Sequence, residues 1–210
     1  MSATSLRLVA HGHTAALRQA RFGGNDSLDE GGRRAALALS PAGTGRREGD
    51  AVACLSSPAA AAVETAEIFG LAPTVEAALA DCDYGDWSGR PLAEIAAERP
   101  DALREWLSTP DATPHGGESI VAVRQRVGRW LDAQRGLGRR LTAVTHPLVI
   151  RVALVHALDL PLATYRQLDV APLAIVRLTA HGPRWQLRLD AASAPAPPSD
   201  IPQRRYTAEV

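Results

Sequence analysis

Two histidines stand where this chain can offer a reactive imidazole. His11 follows the short apolar run Leu6–Ala10 (LRLVA), and His146 follows Arg140–Thr145 (RLTAVT). An imidazole titrates near neutral pH, so it serves as nucleophile, general base or general acid. The cationic complement is unusual: all 23 basic residues are arginine and none is lysine. Mechanisms that need a lysine, such as a Schiff base or a phosphate-binding loop with its lysine, are thereby excluded.

The elements that must carry these residues alternate between strand and helix. LRLVA and RLTAVT read as buried strands, each ending at a histidine, and Ala51–Leu55 (AVACL) reads as another. Arg33–Leu39 has helical composition. Ser57-Pro58 is expected to open an alanine-rich helix to about Phe69, with serine as N-cap, proline at the first position and Gly70 as the stop. Asp81–Gly89 (DCDYGDWSG) is too polar and turn-rich for a regular element. Pro91–Glu98 and Asp101–Leu107 read as short helices. Glu118–Arg135 places Ile120, Val123, Val127, Trp130 and Leu131 on one stripe of an amphipathic helix. Leu148–Leu158 reads as a largely buried helix. Leu173–Thr179 and Arg184–Leu189 read as a hairpin at a sheet edge. This alternation predicts an α/β three-layer sandwich with a mostly parallel central sheet. In such folds ligands bind at the carboxyl ends of the strands, beside helix N-termini, where His11 and His146 both fall.

Length and composition bound the rest. The 210 residues, 46% hydrophobic and 22% charged, suit one globular domain, placed at residues 1–190. Residues 191–210 turn to Ala, Pro and Ser and are expected to form an extended tail. The 23 basic residues cancel the 23 acidic ones, which gives no reason to expect nucleic acid or an anionic membrane as partner. No stretch reaches the roughly 20 apolar residues of a membrane helix. Cys54 and Cys82 have no metal-ligand spacing and read as reduced cysteines, so a cytoplasmic protein is expected. Charge and size permit a homodimer.

Six segments, in order, are similar to the signatures of the histidine phosphatase superfamily, the phosphoglycerate-mutase-like fold. LVAHGHT (8–14) resembles a strand followed by Arg-His-Gly-x-Thr. Arg21-Phe22-Gly23-Gly24 with Leu28-Asp29-Glu30-Gly31 resembles the "RF-G … L-x-x-G" stretch, and SSPAAAAVETA (56–66) resembles SSP-L-x-R-A-x-E-T-A. ALADCDYGDWSG (78–89) resembles L-x-E-x-x-x-G-x-W-E-G, HGGES (115–119) resembles PGGES, and VTHPLVIR (144–151) resembles V-T-H-G-G-V-I-R. The resemblance covers roughly residues 6–151. It implies a phosphoglycerate-mutase-like fold with His11 as nucleophile, Asp81 as acid/base, His146 as second histidine and Arg21 in contact with substrate. It implies no cofactor.

The departures bear on function. The arginine before the nucleophile is replaced by Ala10, that of the SSP segment by Ala61, the usual glutamate by Asp81, the glycine after the second histidine by Pro147, and a common asparagine by Leu17. Each charge-assisted arginine–phosphate bond contributes about 1.5–3 kcal/mol, so losing two costs roughly 3–6 kcal/mol of transition-state stabilisation unless other cations compensate. Arg21 and Arg151, about one turn into the helix after His146, are candidates. Arg7 lies on the opposite face of its strand from Ala10, and Arg18 reads as part of a solvated helix face. His13, Tyr84 and His115 complete the candidate substrate-binding set, and Trp87 reads as pocket wall or core. His13 forms an H-x-H pair with His11, the metal pattern of amidohydrolase-like barrels, but those need a longer chain and many a lysine, so no metal is expected. His156 and His181 read as structural or exposed. Three readings stay open, in this order: an enzyme repurposed for a small, less anionic substrate, a silent ligand- or partner-binding protein, and a weak phosphomonoesterase.

Overall fold

In strand β1 (Thr4–Ala10) the side chains alternate as a pleat requires. Leu6, Leu8 and Ala10 enter one buried cluster, and Val9 enters another on the opposite face. A strand that buries both faces must lie inside a sheet covered on both sides, and in this computed structural model it does. The structure describes residues 3–40 and 53–189. Ala51, Val52 and the expected tail at 191–210 lie outside the described residues.

The sheet has six strands in the order β3-β2-β4-β1-β5-β6, where β2 is Ala53–Ser56, β3 Thr74–Val75, β4 Arg140–Thr145, β5 Ile175–His181 and β6 Arg184–Arg188. The β3-β2, β2-β4 and β4-β1 pairs are parallel; β5 runs antiparallel to β1 and to β6. The mostly parallel sheet and its edge hairpin are as the sequence predicts. Helices α6 (Ile120–Gln134) and α7 (Pro147–Ala157) supply the larger cluster through Val123, Val127, Leu131, Val149 and Val152. Helices α2 (Glu30–Leu39) and α3 (Ala60–Ile68) cover the other face through Ala36, Ala62 and Ala66. The small α1 (Ala15–Arg18) follows His11. Helices α4 (Leu92–Glu98) and α5 (Pro100–Ser108) lie between the Asp81 loop and α6 in the chain. Among the described residues no helix is long and apolar enough to cross a membrane.

One helix boundary corrects the sequence reading. Ser57 does not cap α3 and Pro58 is not its first residue: the helix begins at Ala60 after Ala59, with no side-chain cap. The Ser57 hydroxyl instead accepts from the Ala59 amide and shares a bond with His146, and Ala59 itself keeps an extended conformation.

Candidate active site

Parallel pairing of β1 with β4 brings the two histidines together. Ala10 is in register with Thr145, so the residues that follow, His11 and His146, leave adjacent strand ends side by side. Their rings meet edge to face with centroids 4.9 Å apart. Both are nearly enclosed, at 7% and 5% exposure. The His11 amide donates to the Thr145 carbonyl at 2.9 Å, which fixes the turn. His11 Nδ1 lies 2.7 Å from the Gly12 carbonyl, and a carbonyl only accepts, so Nδ1 carries the proton and Nε2 keeps its lone pair. Burial, reinforced by His146, pushes the His11 pKa down to about 4. At neutral pH the ring is therefore uncharged and basic at Nε2.

His146 caps α7, and Pro147 sits at the helix start, where its missing N–H costs nothing. His146 Nε2 shares a hydrogen bond with the Ser57 hydroxyl at 2.8 Å, and Nδ1 stands 3.6 Å from Asp81 Oδ2. Burial lowers its pKa, with Asp81 opposing and Arg126 adding to the effect.

Asp81 sits on an irregular loop that other side chains hold in place. Its Oδ1 accepts from the Cys82 amide at 2.9 Å. From α6, Arg126 donates to the Ala78, Ala80 and Asp81 carbonyls at 2.9, 3.1 and 3.2 Å, and its Nε and Nη2 grip Glu118 at 3.0 and 2.7 Å. Thr145 Oγ1 donates to the Leu79 carbonyl at 2.6 Å. Further along, the loop crosses the 115–118 turn so closely that a Cβ on Gly85 would stand 2.1 Å from the His115 carbonyl oxygen, and one on Gly117 2.1 Å from that of Asp83. Gly85 also has φ +45°, a region other residues avoid.

Above the histidines opens a cavity of about 480 Å³. Of the sequence-predicted site residues, His11, Asp81, His146, Arg21, Tyr84 and Arg151 all line it. His13 is not among the lining residues, and its carbonyl accepts from the Asp29 amide. His115 is not among them either. It is fully buried among Tyr84, Trp87 and Trp106, with Nδ1 accepting from the Gly117 amide, so it supports the wall from behind. Trp87 is likewise core, with no exposure. Arg18 is an exposed partner of Asp29. Tyr84 forms wall, and burial raises its hydroxyl pKa well above the ordinary value. Ala61 and Leu17 line the cavity where the resemblance places polar groups, and Ala10 is sealed into the core cluster.

Three side chains escaped the sequence reading. Ser57 looks like a helix cap in the sequence but bonds His146. Arg126 stands beside the buried stripe of α6, and a charge on that shoulder was a signal to follow. Arg166, in the 3₁₀ turn Leu162–Gln167, reaches the cavity wall and donates to the Tyr165 hydroxyl at 3.1 Å. No group of three His, Cys, Asp or Glu side chains suited to a metal occurs among the described residues.

The family model described as "Histidine phosphatase superfamily (branch 1)" matches residues 6–191. The chain belongs to the histidine phosphatase superfamily. Within it, this chain is similar to the "Bifunctional protein Rv2228c" of Mycobacterium tuberculosis, at 36% identity over 85% of this chain and 51% of that protein. The chain thus spans about half the length of that relative. It is also similar to the "Glucosyl-3-phosphoglycerate phosphatase" of the same species, 29% identical over 92% of this chain and 97% of that one. Among solved structures, Bacillus stearothermophilus YhfR superposes with TM-score 0.77 at 26% identity, covering 91% of this chain and 98% of that one. The mixed α/β sandwich is therefore the superfamily's fold.

Proposed function

We propose that the chain is a small-molecule enzyme that keeps the histidine–carboxylate machinery of its superfamily on a reacting group less anionic than a phosphate monoester. In this reading Nε2 of His11 attacks the electrophilic atom while protonated Asp81 gives its proton to the leaving oxygen. A water then passes its proton to the Asp81 carboxylate and releases the product from His11. His146, tied to Ser57 and standing against Asp81, orients the carboxylate and offers hydrogen bonding to the charge that develops.

One observation carries the reading. Methyl groups stand at Ala10 and Ala61, where the resemblance to other members places guanidinium ions, while the His11 lone pair stays open to the cavity. We assign the working environment to the cytoplasm, in keeping with two buried free cysteines, and the partner to a small molecule, with a homodimer permitted.

The test compares 4-nitrophenyl phosphate, a 4-nitrophenyl phosphodiester and 4-nitrophenyl acetate on wild type, His11→Ala, Ala61→Arg and Ala10→Arg/Ala61→Arg. The single variant keeps the test alive if an arginine in the sealed Ala10 position prevents folding. The expected result is little monoester turnover by wild type, a gain of about a hundredfold on restoring arginine, and a His11-dependent reaction on an uncharged or singly charged ester. Rapid His11-dependent release of phosphate by wild type overturns the reading. That outcome would support the second one, a phosphomonoesterase with relocated cations, which Arg21, Arg151 and Arg166 on the cavity wall and the phosphatase names of relatives favour. No His11-dependent turnover of any ester would instead support a silent binding protein.

A further inference from the structure

Several arginines of this molecule meet carboxylates, and others, such as Arg21 and Arg166, meet neutral acceptors. Arg18 pairs with Asp29, Arg33 with Glu64, Arg90 with Glu94 and Glu98, and Arg126 with Glu118. Arg151 does not. It is half-buried on the cavity wall, its Nε is shut off from solvent without an acceptor, and no carboxylate among the described residues pairs with it. The sealed Nε lacks an acceptor and the rest of the guanidinium stands at the cavity wall, so an anion entering the cavity would supply the acceptor and the opposite charge that the protein does not.

Its placement separates it from the reacting centre. Pro147, Leu148 and Arg151 recur at i, i+1 and i+4 on α7 and line the cavity together. Arg151 therefore stands about 6 Å further along the helix than Pro147, which follows His146 directly. The same cavity also presents apolar and aromatic side chains: Phe22, Tyr84, Trp106, Ile120 and Leu148. The rings of Tyr84 and Trp106 stand edge to face with centroids 6.1 Å apart. The cavity falls within the range of small-molecule sites, roughly 300–1,000 Å³.

Resting on the reading above, we infer that the substrate is an amphiphilic organic acid: an apolar ring against Trp106 and Tyr84, a carboxylate paired with Arg151, and the scissile bond at His11. The anion that the cavity recognises is thus distinct from the group that reacts. A carboxylate matches the planar guanidinium fork and needs only one countercharge, and Arg151 supplies one.

Calorimetric titration of the full chain tests this without turnover. The probes are 2-naphthoate and indole-3-acetate, their neutral amides, and 2-naphthyl phosphate; the proteins are wild type, His11→Ala, Arg151→Gln and Arg151→Lys, each first checked for a native melting transition. Each acid is expected to bind wild type at least tenfold more tightly than its amide, and His11→Ala is expected to keep that preference of acid over amide. Arg151→Gln should abolish that preference and Arg151→Lys should keep part of it. Equal binding of acids and amides, no binding by any probe, or a preference that survives Arg151→Gln overturns the inference. Tighter, Arg151-dependent binding of the aryl phosphate overturns it in favour of a phosphate at this position. Because His11→Ala enters as a binder, these outcomes are independent of whether the catalytic reading holds.

Discussion

The floor and the outer wall of one cavity are built on different principles. On the floor each side chain is held within the protein: His11 holds the Gly12 carbonyl through Nδ1, His146 holds Ser57, and the Asp81 loop is held by Arg126 and Thr145. On the wall, Arg151 waits without a counter-ion, and Arg21 and Arg166 satisfy themselves with neutral acceptors. The floor is fixed by bonds within the protein, while the wall leaves a cation open to an outside partner. In terms of sequence change, a floor held by many mutual bonds resists substitution, whereas a wall of single side chains can be reassigned one at a time.

If the floor holds the chemistry, His11→Ala should lower kcat/KM on any substrate by on the order of a thousandfold or more, with stability changed by no more than about 1 kcal/mol. Steady-state kinetics beside urea unfolding checks both. Arg126→Gln comes next. It frees three carbonyls of the Asp81 loop and strands Glu118, and should cost about 2–3 kcal/mol of stability. A tenfold or larger drop in kcat with KM little changed is expected beside it. An unchanged kcat would show that the loop holds Asp81 without its clamp.

The same floor imposes a pH dependence. Folded His11 takes up a proton only near pH 4, whereas the unfolded ring does so near 6.5. Between these values the unfolded chain binds more protons, so stability is at its full value above 6.5 and falls as pH descends toward 4. His11 alone accounts for about 3 kcal/mol of that loss, and the buried rings of His146 and His115, both lowered, act with the same sign. Urea midpoints between pH 4 and 7 should show the slope, and His11→Ala should flatten it. On the wall the smallest effect is expected at Arg21, which is exposed and bonded to Gln19 and Gly89. Arg21→Gln should change KM by less than about threefold. A larger effect, measured by the same kinetics, would erase the distinction drawn between floor and wall.

How far the sequence reveals this depends on the kind of signal. Strand ends marked by histidines, the stripe on α6 and the edge hairpin were all legible because burial writes a period into the chain. His115 and Trp87 were not separable from cavity wall, since an aromatic ring suits a buried support and a lined pocket equally well. Ser57 misled because Ser-Pro before an alanine run is a good helix start, and only the arrival of His146 from 89 residues away redirects the hydroxyl. Arg166 left no local mark: it reaches the cavity from a 3₁₀ turn that carries neither motif nor period.

The strand order also sets a clock. β1 lies between β4 and β5, bonded on both edges, so the amides of Leu6, Leu8 and Val9 are released to solvent only when the sheet itself opens. His11 follows that strand, while Arg166 is carried by a six-residue 3₁₀ turn outside the sheet. In deuterated buffer the strand that leads to His11 should therefore exchange on the timescale of global unfolding and the turn that carries Arg166 far sooner, so that the cavity opens first beside Arg166 while its His11 end keeps still.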